Sequence, residues 1–106
     1  MNRGFQVDTR DNVATLLQDA DGAVDILGPA PQQIALREPI AGSHKVALVE
    51  IAAGAPIVKF GVRIGHATQA IRRGAWVHLH NMASDLDERS GTLDLHSGAP
   101  TDTRYE

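Results

Sequence analysis

The sequence has no cysteine among its 106 residues. That excludes a disulfide-stapled scaffold, a thiolate zinc site and a cysteine nucleophile. Aromatic residues are almost as scarce, with one Trp, one Tyr and two Phe, too few for the stacking platforms that hold single-stranded nucleic acid. No apolar run approaches the roughly 20 residues that span a bilayer, and the start, Met1-Asn2-Arg3-Gly4-Phe5, has no apolar signal core. The expectation is a cytoplasmic protein with neither a membrane nor a nucleic-acid partner. Also missing are a Gly-x-x-x-x-Gly-Lys phosphate loop, a Gly-x-Gly-x-x-Gly fingerprint and a Gly-x-Ser-x-Gly nucleophile elbow.

What is present is ordinary globular usage, 42% hydrophobic and 22% charged, enough for one domain with a real core. Helix signals are sparse, and residues 12–20 read equally well as a strand. Short β-branched runs cut by glycine and proline predict an all-β domain. The candidate strands are residues 5–7, 13–17, 24–27, 33–36, 46–50, 57–60, 63–65 and 76–81. Trp76 and Phe60 read as core. From Met82 onward apolar content falls, so residues 1–81 read as the domain. Residues 82–106 read as an acidic, partly flexible tail with sticky positions at Leu86, Leu93 and Leu95.

Three segments share a plan in which a Gly-Ala turn launches an apolar strand: Asp21-Gly22-Ala23, Ala53-Gly54-Ala55 and Arg73-Gly74-Ala75. The last two extend to Ile51-Ala52-Ala53-Gly54-Ala55 and Ile71-Arg72-Arg73-Gly74-Ala75, twenty residues apart. Unequal spacing argues against a solenoid and for repeated hairpin construction.

The formal net charge of -3 hides a segregation. Residues 43–81 carry Lys45, Lys59, Arg63, Arg72 and Arg73 against Glu50 alone, while both flanking segments are net acidic. His44, His66, His78 and His80 lie in the same positive block. The pattern suggests an anionic ligand, or equally a set of cations dispersed by folding.

The strongest local feature is His78-Leu79-His80-Asn81. On a strand, His78 and His80 would share one face, able to ligate a divalent metal or to act as base and orienting group. A metal needs further ligands, for which His44, His66, Asp11 and Glu50 are candidates. Two solvated surface histidines is the plainer reading. Ser43-His44-Lys45, at a strand entry, offers a hydroxyl, an imidazole and an ammonium to a carboxylate or hydroxylated ligand. Lys59, inside an apolar run, either reaches a cleft or guards a sheet edge.

Taken in order, His44-Lys45-Val46-Ala47-Leu48, Ile51-Ala52-Ala53-Gly54, Ile57-Val58-Lys59-Phe60-Gly61, Ile64-Gly65-His66-Ala67-Thr68, Ile71-Arg72-Arg73-Gly74 and Val77-His78-Leu79-His80-Asn81 resemble one family. It is the SAF domain of the altronate and galactarate dehydratases, the UxaA-type hydrolases. Asp11-Asn12-Val13-Ala14 and Leu36-Arg37-Glu38-Pro39-Ile40 also fit, so the resemblance covers about residues 5–82. Two positions depart: Ser43 stands where a glycine commonly precedes the His-Lys pair, and His66 where a basic or polar residue is more usual.

The resemblance implies a β-clip fold, a long hairpin folded over into small sheets. It implies a small subunit of a sugar-acid dehydratase-type lyase that helps bind the anionic hydroxy acid beside a separate large catalytic subunit, with divalent iron or another divalent metal. On that reading His78 and His80 are catalytic or metal-ligating, and Ser43, His44, Lys45, Lys59 and Asn81 bind substrate. The small subunit of a sulfolactate sulfo-lyase is a close alternative. A non-catalytic SAF binding or assembly module, and self-association into a homo-oligomer through edge strands, are the others.

Overall fold

The computed structural model describes residues 2–85, and these residues form an all-β unit, as the short β-branched runs predict. Nine strands make up the described residues: β1 (Asn2–Phe5), β2 (Val13–Leu16), β3 (Ala23–Leu27), β4 (Gln32–Ala35), β5 (Lys45–Ala47), β6 (Pro56–Lys59), β7 (Val62–Ala67), β8 (Trp76–Val77) and β9 (Met82–Ser84). Six form one sheet in the order β4-β3-β1-β2-β5-β8, and three form a second in the order β6-β7-β9. Every pairing is antiparallel except β1 with β3. These curled sheets are consistent with the β-clip.

The alternation of side chains on β2 and β5 divides the core in two. Val13 and Ala47, paired across the strands, face one cluster with Ile51, Ile57, Ile64, Ile71 and Val77. Ala14, Leu16, Val46 and Leu48 face the other, with Val24, Ile26, Ile34 and Ile40. Both faces of this ribbon are therefore covered, which explains why its residues read as a continuous apolar run. Each such valine or isoleucine contributes about 1.5–3 kcal/mol by leaving water.

The twenty-residue echo is real and has a geometric meaning. Ile51 and Ile71 exchange backbone hydrogen bonds of 2.8 Å in both directions. Gly54 and Gly74 follow with φ of +85° and +89°. Their N–H groups donate to the carbonyls of Ala67 and Ala47, while Ala67 and Ala47 donate to the carbonyls of Ala55 and Ala75. The two turns are thus related by a local pseudo-two-fold.

A third copy is built on residues 40–44. Ile40 exchanges hydrogen bonds with Ala20, the Ser43 N–H donates to the Leu16 carbonyl, and the Leu16 N–H donates to that of His44. Ser43, with φ +73°, occupies the place held by glycine in the other two. Asp21-Gly22-Ala23 does launch β3, and Gly22 has φ +79°, but its hydrogen bonding is different.

Three sequence expectations change here. The strand predicted for residues 76–81 ends at Val77, because the next four residues turn back. Phe60 is not core: it lies 57% exposed at the tip of the β6–β7 hairpin, where Phe60 and Gly61 both adopt positive φ, as a two-residue type I′ turn requires. Finally, Met82–Ser84 pairs with β7 and Met82 joins the core, so the fold runs past residue 81. Leu86, Leu93, Leu95 and the rest of the acidic segment from residue 86 lie outside the described residues.

Candidate functional site

Three of the five histidines converge on the single tryptophan. Trp76 lies opposite Val46 in the β5–β8 pairing, so it shares a sheet face with His44, two residues earlier on the β5 segment. The indole Nε1–H donates to His44 Nδ1 at 3.1 Å. The His78 ring stacks on the indole with centroids 5.1 Å apart and planes 13° from parallel. The His80 ring approaches the same indole at 4.7 Å, and His44 and His78 lie 5.1 Å apart. Trp76 is half-buried, with one side packed against the core.

The turn that carries His78 and His80 is built by Asn81. Its Oδ1 accepts the His78 N–H at 2.9 Å and its Nδ2 donates to the Trp76 carbonyl at 2.8 Å. The N–H groups of Asn81 and Met82 both donate to the His78 carbonyl. Asn81 is only 5% exposed. The two histidines are therefore brought together by a capped turn around an indole, not by strand alternation as the spacing suggested. The arrangement places Asn81, expected to bind substrate, in the scaffold of the site.

The remaining candidates separate. Ser43 is exposed at the turn before β5. Lys45 alternates to the opposite face from His44, beside Thr15 and Val77, and is 3% exposed. Lys59 lies on the other sheet, half-buried, its Nζ 4.9 Å above the Phe60 ring. Burial lowers the Lys59 pKa while the nearby Asp11 carboxylate opposes that shift. As part of edge strand β6, Lys59 matches the edge-guarding reading as well as the cleft reading.

Folding also disperses the positive block. Arg63 Nε pairs with Asp85 at 2.7 Å. The Arg73 guanidinium donates to the Leu48 carbonyl and to Gln32 Oε1, while its backbone N–H donates to Glu50. His66 Nδ1 meets Asp85 at 3.0 Å, and the His66 hydrogen bond, then Arg63, holds the Asp85 carboxyl below the usual carboxylate range. Of the five cations, Arg63 is thus paired with a carboxylate, and Lys45 and Lys59 lie on different sheets.

The same placements test the metal. Of the further ligands considered, Asp11 accepts the N–H groups of Gly61 and Asp8, Glu50 accepts from Arg73, and His66 pairs with Asp85. Among the described residues no three His, Asp or Glu side chains converge on a point that could hold a metal ion. The described part of this chain therefore does not by itself fit divalent iron. What the cluster supplies is a half-exposed group of imidazole rings around an apolar indole wall. Imidazoles offer N–H donors and lone pairs to a hydroxylated, anionic ligand.

This combination, a two-core all-β unit with three of its four motif histidines around one indole, is what an SAF-type domain would present. Residues 2–85 match the family model for the altronate/galactarate dehydratase SAF domain, and the chain belongs to that family. The chain is 36% identical to altronate dehydratase of Escherichia coli (strain K12) over 84 residues, 79% of this chain and 17% of that protein. It is 32% identical to altronate dehydratase of Bacillus subtilis (strain 168) over 100 residues, 94% of this chain and 19% of that protein. A third relative is (2R)-sulfolactate sulfo-lyase subunit alpha of Chromohalobacter salexigens, 36% identical over 50 residues, 47% of this chain and 53% of that one. The chain thus spans less than a fifth of the length of the dehydratases it matches. Among the described residues no helix is long and apolar enough to cross a membrane.

Proposed function

We propose that the chain is the SAF subunit of a sugar-acid dehydratase-type lyase. It binds the hydroxy-acid substrate and presents His44, His78 and His80 to a site completed by a separate large catalytic subunit. The observation that carries this reading is the gathering of three of the four motif histidines, His44, His78 and His80, on Trp76, within a domain homologous to part of the altronate dehydratases. Elimination next to a carboxylate requires removal of a weakly acidic carbon proton and protonation of a departing hydroxyl. Histidine side chains serve as proton carriers for such steps, and N–H donors offset the negative charge that develops on the carboxylate. The lack of a three-ligand cluster among the described residues fits a supporting role, in which the rest of the chemistry lies on the larger body.

A second reading, a sulfo-lyase subunit, is favoured by the relative named as a subunit alpha, half of which this chain covers. One assay separates the two. The chain is mixed with a large dehydratase or sulfo-lyase subunit, and 2-keto acid and sulfite are followed with altronate, galactarate and sulfolactate. A gain in 2-keto acid without sulfite is the expected result, and alanine at both His78 and His80 removes it. No gain with any substrate sinks the lyase reading, and a gain that survives the double substitution relegates the two histidines to the surface.

A further inference from the structure

A tryptophan indole can only donate a hydrogen bond. Its contact with His44 therefore assigns a tautomer: Nδ1, 3.1 Å from the indole nitrogen, must be the ring's acceptor, and a neutral His44 carries its hydrogen on Nε2. Trp76 is in turn fixed at both ends of its backbone. Its N–H donates to Glu38 Oε2 at 3.1 Å and its carbonyl accepts from Asn81 Nδ2 at 2.8 Å. The indole is also stacked against His78, so the donor is held in place from several sides.

We infer that Trp76 is a positioning residue that locks His44 as an N–H donor at Nε2. His44 then meets an oxygen of the ligand by donating to it, and does not serve as a metal ligand or a general base through that nitrogen. The inference refines the lyase reading above by giving His44 a single chemical role. It also separates His44 from the two histidines of the turn, which no indole N–H constrains in this way.

The test uses the full chain, uniformly labelled with nitrogen-15, at about pH 8, above the ordinary imidazole range. Long-range proton–nitrogen correlation spectra distinguish the two neutral tautomers directly. His44 is expected as the Nε2–H form, and Trp76→Phe, which keeps a ring but removes the donor, is expected to abolish that preference. Tartrate, a small hydroxylated dicarboxylate, is the binding probe. His44→Gln retains an N–H donor near the position of Nε2 but cannot act as a base, so it should keep most of the tartrate affinity. His44→Ala should lose roughly tenfold or more, the effect of deleting a hydrogen bond to a charged group. An Nδ1–H tautomer in the unsubstituted chain overturns the inference. So does a His44 spectrum unmoved by Trp76→Phe, or a glutamine variant as impaired as the alanine one. The tautomer measurement needs no substrate, so it stands or falls apart from the mixing assay.

Discussion

Replacing Ser43 with glycine should make the protein more stable, contrary to the usual effect of adding glycine. The three related turns place their fourth residue at φ +73°, +85° and +89°, and only the first has a side chain there. A non-glycine residue in this region costs about 1–2 kcal/mol. Glycine returns roughly 0.5–1 kcal/mol of that through the greater freedom of the unfolded chain. The net gain is about 0.5–1 kcal/mol, or roughly 2–6 °C in Tm for a domain of this size. The other two turns calibrate the estimate. A Cβ on Gly54 meets nothing within 4 Å, whereas one on Gly74 runs into the Ala35 carbonyl oxygen. Gly54→Ala should therefore cost only the strain difference, about 0.5–1 kcal/mol, and Gly74→Ala about 1–2 kcal/mol more. Thermal unfolding followed by the fluorescence of the single tryptophan measures all three. A Ser43→Gly chain that melts lower, or equal losses at Gly54 and Gly74, would refute the assignment of a common turn. If the variant is more stable yet supports less activity in the mixed enzyme, the strain at Ser43 is retained for its hydroxyl.

Asn81→Ala should cost about 2 kcal/mol or more in chemical denaturation, because it strands the buried groups that cap the histidine turn. Gly65→Ala should cost about 1–3 kcal/mol by the same measurement, since its Cβ would press on the Ala83 carbonyl oxygen and part β7 from β9. Asp85 has a folded pKa below its ordinary value of about 3.9. The stability it contributes is complete above that value and is lost as pH falls through the folded pKa. Asp85→Asn should therefore flatten the fall in urea midpoint as pH drops below about 4, and an unchanged slope would refute the pairing with His66 and Arg63. A slope should persist from Asp8, whose pKa Arg10 lowers to about 2.

The fold was legible where its determinants are local. Gly54 and Gly74 announce themselves because each turn needs a positive φ, and seven of the nine strands follow from β-branched runs between such turns; β1, Asn2–Phe5, has no β-branched residue and meets the strand expected at residues 5–7 only at Phe5. The third copy of the turn was hidden because Ser43 carries the positive φ without a glycine to signal it. Strand β9 was hidden because Met82-Ala83-Ser84 has one large apolar residue, and its strand character comes from pairing with β7. The partners of the cations were hidden for a related reason. Arg63 finds its carboxylate at Asp85 and Arg73 its amide at Gln32, and partners this far apart in sequence are set by topology rather than by the composition of a segment.

The site was half legible, and the missing half decides its chemistry. His78 and His80 stand out by spacing, but period-two spacing describes them only if the chain stays extended. Asn81 ends that extension by capping His78, a competition between side chain and strand ladder that asparagine often wins at turns. The histidines then owe their proximity to Trp76, and through Trp76 they acquire His44, thirty-four residues before His78, as a neighbour. Lys45, adjacent to His44 in sequence, is carried to the opposite face by strand alternation. Residues adjacent in the motif are therefore divided between two sides of a sheet, while residues from two motifs share one indole. The chemistry to be expected of this domain follows from the indole and its three imidazoles, not from the row of cations that the sequence displays.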